Sequence, residues 1–209
     1  MKLLLVGATG LVGGHVLEKA LADDRIDAIV APGRRVFARH AKLLSPVVDF
    51  GCLPEHENWW RADALVCTLG TTMKKAGSKD AFYRVDHDYP LAVARLARRH
   101  GTPVFVLTSA IGANDASFFF YNRVKGEVEK ELAGMGFESL TFARPGLIGG
   151  KRQEARPLET ALGMVKRILH PVLPKNRRIN PADRIAAVLL EAAIRAEPGM
   201  RVVGPEEMV

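Results

Sequence analysis

Three residues near the middle of the chain have types and a spacing that could do chemistry together. Tyr121 and Lys125 stand four apart in "YNRVK", and Ser109 lies twelve positions before the tyrosine. On a helix, side chains four apart rise from one face, so a phenol and an ammonium can converge on one bound molecule. A phenol gives or takes a proton at a carbonyl or alcohol oxygen, and a serine hydroxyl can hydrogen-bond that same oxygen. Free tyrosine titrates near pH ~10, so base catalysis at neutral pH requires that Lys125, by stabilising phenolate, lower that value. Any amphipathic helix can carry such a pair, so the reading depends on what the rest of the chain supplies for it to act on.

The first such feature is "GATGLVGG", where Gly7, Gly10 and Gly13 follow a short apolar run and open an amphipathic stretch. Glycines let a backbone turn tightly and approach a pyrophosphate, whose charge then faces the unpaired N–H groups of a helix start. Thr9, Leu11 and Val12 are the other residues expected against a dinucleotide there. At the end of the second apolar run stands "PGRR". An acid at that place would hold the ribose hydroxyls of NAD, whereas the guanidinium forks of Arg34 and Arg35 suit a 2′-phosphate. NADP(H) is therefore expected, with NAD(H) as second choice. Asp49 and Phe50 are placed near the adenine, and Leu69, Gly70, Thr71 and Thr72 along the adenine-ribose side.

The elements that must position these residues read as alternating strands and helices. "KLLLV" (2–6), "IDAIVA" (26–31), "SPVVDF" (45–50), "DALVCTLG" (63–70), "PVFVLTS" (103–109) and "SLTFARPG" (139–146) read as strands, and "RVVG" (201–204) as a short last one. Helices are expected after residue 10, around "FARHAKLL", over 86–100, through "YNRVK" to Gly134, and over 180–194. In the last of these, Asn180 reads as N-cap, Pro181 lies in the first turn and Asp183 falls near N3. The pattern predicts an α/β Rossmann fold, a doubly wound, mostly parallel sheet of six to seven strands with helices on both faces. Ligands of such sheets sit beyond the carboxyl ends of the strands.

At 209 residues, 48% hydrophobic and 25% charged, the chain fits one folded domain over 1–209 and excludes disordered or fibrous classes. The opening "MKLLLVGATG" reads as a buried strand rather than a signal peptide, and no stretch approaches the ~20 apolar residues of a membrane span. A cytoplasmic protein is expected. Cys52 and Cys67 and six scattered histidines form no metal-ligand spacing, so no metal site is assigned. The net charge of +7 is attributed mostly to solvated helix faces, and nucleic-acid binding is disfavoured. Homo-oligomerisation is left open.

With "GATGLVGG", Ser109, "YNRVK" and "RPG" in order, the sequence resembles the short-chain dehydrogenase/reductase superfamily. "CTLGTTMKKAGS" (67–78), "RVDHDYPLAVA" (84–94), "YNRVKGEVE" (121–129) and "FARPGLIGG" (142–150) resemble its atypical, Tat-interacting-protein-like branch. The resemblance implies Ser109, Tyr121 and Lys125 at the chemistry, Lys125 also on the nicotinamide ribose, and Pro145, Gly146 and Leu147 beside the nicotinamide. It implies an oxidoreductase of a small carbonyl/alcohol substrate. A cofactor-binding redox sensor or scaffold without turnover is the alternative, and sugar-nucleotide epimerisation a weaker one. One departure stands out, since Asp86 occupies a place where many superfamily members have asparagine. Residues 151–178, with Leu158, Leu162, Val165 and Leu169 at helical spacing, read as a lid over the substrate. Contact of their basic face with an anionic membrane or a partner is the second reading.

Overall fold

The computed structural model describes residues 1–150 and 179–209. The lid helix expected over 151–178 lies outside the described residues. Seven strands form one sheet: β1 Lys2–Val6, β2 Ala28–Val30, β3 Leu43–Leu44, β4 Ala64–Cys67, β5 Val104–Thr108, β6 Ser139–Ala143 and β9 Gly199–Val203. Their order is β3-β2-β1-β4-β5-β6-β9, and every pairing is parallel. Two short strands, β7 Ile148–Gly149 and β8 Asn180–Pro181, pair apart from it. Six α-helices lie among the described residues: α1 Leu11–Ala22, α2 Met73–Ala76, α3 Lys79–Tyr83, α4 Tyr89–Arg99, α5 Phe120–Ala133 and α6 Ala182–Arg195.

The near-continuous apolar strands follow from burial on both faces. Leu3, Leu5, Val66, Val104 and Val106 point to the side covered by α1 and α6, where Val16, Ile185 and Leu189 meet them. Leu4, Val6, Leu65, Cys67, Phe105 and Leu107 point to the side of α4 and α5, against Leu91, Val128 and Leu132. Full burial of side chains such as Ile185 and Leu189 stabilises the fold by ~1.5–3 kcal/mol each. Register carries the consequence for function. Val6 pairs with Cys67 and Cys67 with Leu107, so the chain leaves β1, β4 and β5 at one level, along one edge of the sheet.

Three expectations about elements are corrected. The helix around "FARHAKLL" does not form. The Leu43 N–H closes a turn on the His40 carbonyl, and the chain then pairs at once with β2. The third strand is therefore centred earlier than 45–50. The ladder continues past Leu44 through the Pro46 carbonyl, which accepts from Gly33 N–H at 3.1 Å, although proline has no N–H to return. The helix expected from residue 86 begins at Lys79, because the Ser78 hydroxyl accepts from Ala81 N–H at 3.1 Å and caps it. A π-helical turn, Arg84–Asp88, joins α3 to α4. Finally, Asn180 is not an N-cap, since Pro181 holds that position. Asn180 is wholly buried instead, donating to the Pro205 and Met208 carbonyls and accepting from Gly146 N–H at 2.7 Å.

Candidate functional site

The turn after β1 is built by two glycines that no other residue could replace without movement. Gly7 has φ +89°, and a Cβ there would lie 2.6 Å from Thr68 Oγ1. A Cβ on Gly13 would stand 2.2 Å from the Gly7 carbonyl oxygen, so α1 starts in direct contact with the turn. Gly10 is the N-cap, with no side-chain cap and no acid in the first turn. The N–H groups of Leu11, Val12 and Gly13 belong to the first turn, which an α-helix leaves without intrahelical partners. Thr9, Gly10, Leu11 and Val12 line a cleft of about 860 Å³ that runs along the carboxyl edge of the sheet. Gly7 and Gly13 lie beneath that lining and shape it.

The same cleft is lined by Arg35, Leu69, Gly70, Thr71, Thr72, Ser109, Tyr121 and Lys125, so most of the residues singled out in the sequence converge. Arg34 is exposed and outside the lining. Asp49 and Phe50 do not reach it either. The Asp49 carboxylate accepts from Gly51 N–H at 2.8 Å, and Phe50 is buried with its ring 5.8 Å from that of Tyr89. Pro145, Gly146 and Leu147 are held just behind the cleft by backbone bonds. The Pro145 carbonyl accepts from Ile111 N–H, Gly146 N–H donates to Asn180, and the Leu147 carbonyl accepts from Asn180 N–H. Ile148, the next residue, is the one that lines the cleft.

Around the chemistry-bearing trio the arrangement differs from the sequence-based expectation in one respect. Lys125 and Asp86 are both almost fully buried, and their side chains meet at 2.8 Å between Nζ and Oδ1. The second Asp86 oxygen accepts from Thr71 N–H at 2.8 Å, so one carboxylate ties the loop after β4 to α5. Burial is the largest single influence and works against the Lys125 ammonium, but Asp86 together with Tyr121 and Cys67 holds the Lys125 pKa above its ordinary value. The Tyr121 phenol is raised, not lowered. Burial is the largest cause, Lys125 pulls it down, and Asp86 pushes it back up. Lys125 therefore cannot act on the phenol as an isolated cation, and Tyr121 is set to hold its proton.

Ser109 Oγ and Thr108 Oγ1, at the end of β5, are buried and make no hydrogen bond to the described protein. A buried polar atom without a partner costs stability unless a bound molecule completes it. Both line the cleft. The loop after β5 reaches this place because α5 carries Gly126, where a Cβ would stand 2.1 Å from the backbone of Asn114 and Asp115. At the rear, Arg144 grips the buried carboxylate of Glu129, with Nε 3.0 Å from Oε1, and fixes α5 against β6. The sequence reading did not single out Gly126, Glu129, Thr108 or Ile148. Glycine inside "YNRVKGEVE" was the one local sign of a close backbone approach.

Chemically, the cleft offers unpaired backbone donors and an arginine at one end and a proton donor with two unsatisfied hydroxyls at the other. Those donors and Arg35 suit a phosphorylated dinucleotide. Among the described residues no helix is long and apolar enough to cross a membrane.

No family model matches the chain. "Protein fmp52, mitochondrial" of Aspergillus fumigatus is 37% identical over 98% of this chain and 92% of its own length, and the Aspergillus clavatus protein of that name 36% over the same shares. "Protein HTATIP2" of Rattus norvegicus is 39% identical over 74% of this chain and 66% of its own length. Among solved structures, MoeE5 in complex with UDP-glucose and NAD superposes with a TM-score of 0.75 at 14% identity, covering 98% of this chain and 76% of that one. WbmH of Bordetella bronchiseptica in complex with NAD+ gives 0.70 at 15% identity, covering 97% and 75%. These two confirm the Rossmann fold. The mitochondrial names of the fungal relatives overturn the expectation of a cytoplasmic protein, which rested on reading the opening as a buried strand and on finding no membrane-spanning stretch. Similarity to the fungal proteins over 98% of this chain, together with the parallel Rossmann sheet, makes the chain a member of the Fmp52 and HTATIP2 family, in the atypical branch of the short-chain dehydrogenase/reductases.

Proposed function

We propose that the protein is an NADP(H)-dependent oxidoreductase acting on a small carbonyl/alcohol pair. The observation that carries this reading is the single cleft joining the open first turn of α1 to the buried, unpartnered Ser109 hydroxyl beside Tyr121. Leu11, Val12 and Gly13 would hold the pyrophosphate through their N–H groups, and Arg35 the 2′-phosphate. A bound nicotinamide would supply or accept hydride. Ser109 then orients the substrate oxygen, Tyr121 exchanges a proton with that oxygen, and Lys125, paired with Asp86, keeps the helix face ordered beneath both. Thr71 and Thr72 line the ribose side, and Ile148 contributes to the same wall of residues.

Titration of the purified protein with NADPH, and separately with NADH, tests this by cofactor fluorescence. Tight NADPH binding with much weaker NADH binding is expected, and Arg35→Ala should narrow the difference. Absence of binding by both would overturn the reading. In a carbonyl-substrate screen, Tyr121→Phe should abolish turnover while leaving NADPH affinity nearly intact, and an active Phe variant would remove Tyr121 from its role.

A further inference from the structure

Asp86 is a buried carboxylate that the assigned chemistry does not use. It sits in the π-helical turn Arg84–Asp88, a feature that inserts an extra residue into a helix and is common at functional sites. That turn places Asp86 toward the cleft, which it lines, and His87 away from it, toward Asp88 and Glu131 at 2.9 and 3.1 Å. Both Asp86 oxygens are committed, one to Lys125 Nζ and one to Thr71 N–H, each at 2.8 Å. Gly70 permits the approach, since a Cβ there would lie only 3.3 Å from Asp86 Oδ1.

We propose that Asp86 is a positioning residue that pairs with Lys125 and so weakens the pull of its ammonium on Tyr121, leaving the phenol in the protonated form that reduction of a carbonyl requires. This deepens the oxidoreductase reading and rests on it for the chemical step. In that step hydride, with its two electrons, passes from a reduced nicotinamide dinucleotide to the carbonyl carbon. The carbonyl oxygen takes the phenolic proton of Tyr121, and the phenolate left behind is reprotonated from water. The products are an alcohol and the oxidised dinucleotide.

The charges around the phenol bear on its protonation. The groups that act on the Tyr121 phenol are Lys125 on its own helix and Asp86 from the turn between α3 and α4. Cys67 from β4 also faces Lys125, but burial pushes its thiol up to about 12, so it stays neutral. Ser109 and Thr108 on β5 are uncharged. An unpaired ammonium would favour phenolate. A paired one presents Tyr121, which is 40% exposed, with a dipole that pulls on its phenol less, so the proton stays in place.

The test reads Tyr121 itself, independently of turnover. Tyrosinate absorbance is followed against pH in the folded protein, with Tyr121→Phe as the blank that removes Tyr83 and Tyr89. Asp86→Asn keeps an oxygen for Thr71 N–H but frees the Lys125 charge, and should lower the Tyr121 midpoint by about one pH unit or more. The double variant Asp86→Asn/Lys125→Met should lose that drop. An unmoved midpoint in Asp86→Asn, or a drop that persists in the double variant, would overturn the proposal. If Asp86→Asn does not fold, Lys125→Met serves, because Asp86 left alone should raise the midpoint, and a midpoint equal to that of the unmodified protein refutes it. Failure of NADPH binding would instead overturn the oxidoreductase reading while leaving this measurement intact.

Discussion

Replacing Gly13 with alanine separates the glycine that the fold needs from the glycine that a ligand would need. The added Cβ would stand 2.2 Å from the Gly7 carbonyl oxygen and 2.5 Å from Thr68 Oγ1, about 1 Å inside ordinary contact. The first obstacle is backbone, so it cannot rotate away, and α1 must retreat from the end of β1. Overpacking of this kind costs ~1–3 kcal/mol, and the upper end applies to an obstacle that cannot move. Alanine returns ~1 kcal/mol through its better helix propensity. The net loss is about 2 kcal/mol, or roughly 4–8 °C in melting temperature for a chain of this size. Gly10→Ala is the matched control. Its Cβ would meet the same carbonyl at 3.2 Å, its φ of −80° suits any residue, and only its quality as an N-cap suffers, by ~1 kcal/mol or less. Scanning calorimetry of the two variants and the unmodified protein measures both effects, and NADPH titration of Gly10→Ala should show weakened binding at little cost in stability. A Gly13→Ala protein melting no lower than Gly10→Ala would refute the claim that close packing of helix on turn selects this residue.

Lys125→Met should cost about 3–5 kcal/mol in urea unfolding at neutral pH, because it leaves the Asp86 carboxylate buried without its partner. A loss under 1 kcal/mol would mean that the pair is not desolvated in solution. Cys67 should resist alkylation in the native protein while Cys52, which is exposed, reacts, and both should react after denaturation. Stability should also fall with rising pH. Burial holds the Cys67 thiol up at about 12, and burial followed by Glu127 holds Tyr83 up at about 12, whereas the unfolded groups lose their protons near ~8.5 and ~10. Above those values the unfolded chain binds fewer protons than the native one, so the native state loses ground through pH ~9–12. Urea midpoints at pH 7 and 10 check the sign, and a midpoint that rises would be incompatible with it.

The doubly wound sheet was legible because its signal is local. Strands buried on both faces read as unbroken apolar runs, and glycines opening an amphipathic run mark the turn where β1 meets α1. Ser109, Tyr121 and Lys125 were legible because their spacing along strand and helix fixes their relation once the fold is known. The weak places were short or irregular. "FARHAKLL" has helical spacing, yet the pairing of Leu43 and Leu44 with β2 overrode it, as tertiary pairing overrides propensity in a short segment. Asn180 carried a good capping signal and was taken instead by three backbone groups, Gly146 N–H in the loop after β6 and the Pro205 and Met208 carbonyls.

From the sequence alone came the fold class, the glycine turn after the first strand and the trio proposed to react, since each depends on residues near one another along the chain. Only the tertiary structure decided the electrostatics of that trio. Asp86 lies 39 positions before Lys125, and nothing local says that a π-helical turn brings its carboxylate within 2.8 Å of the ammonium. Burial first, and then the Asp86 carboxylate countering the pull of Lys125, turn the expected shift of Tyr121 upward, because the free energy of a charge is set by what surrounds it in space. The same holds for the choice of Arg35 over Arg34 and for the exclusion of Asp49 and Phe50. Neighbours in sequence can face opposite ways, and only the packed chain shows which one reaches the cleft.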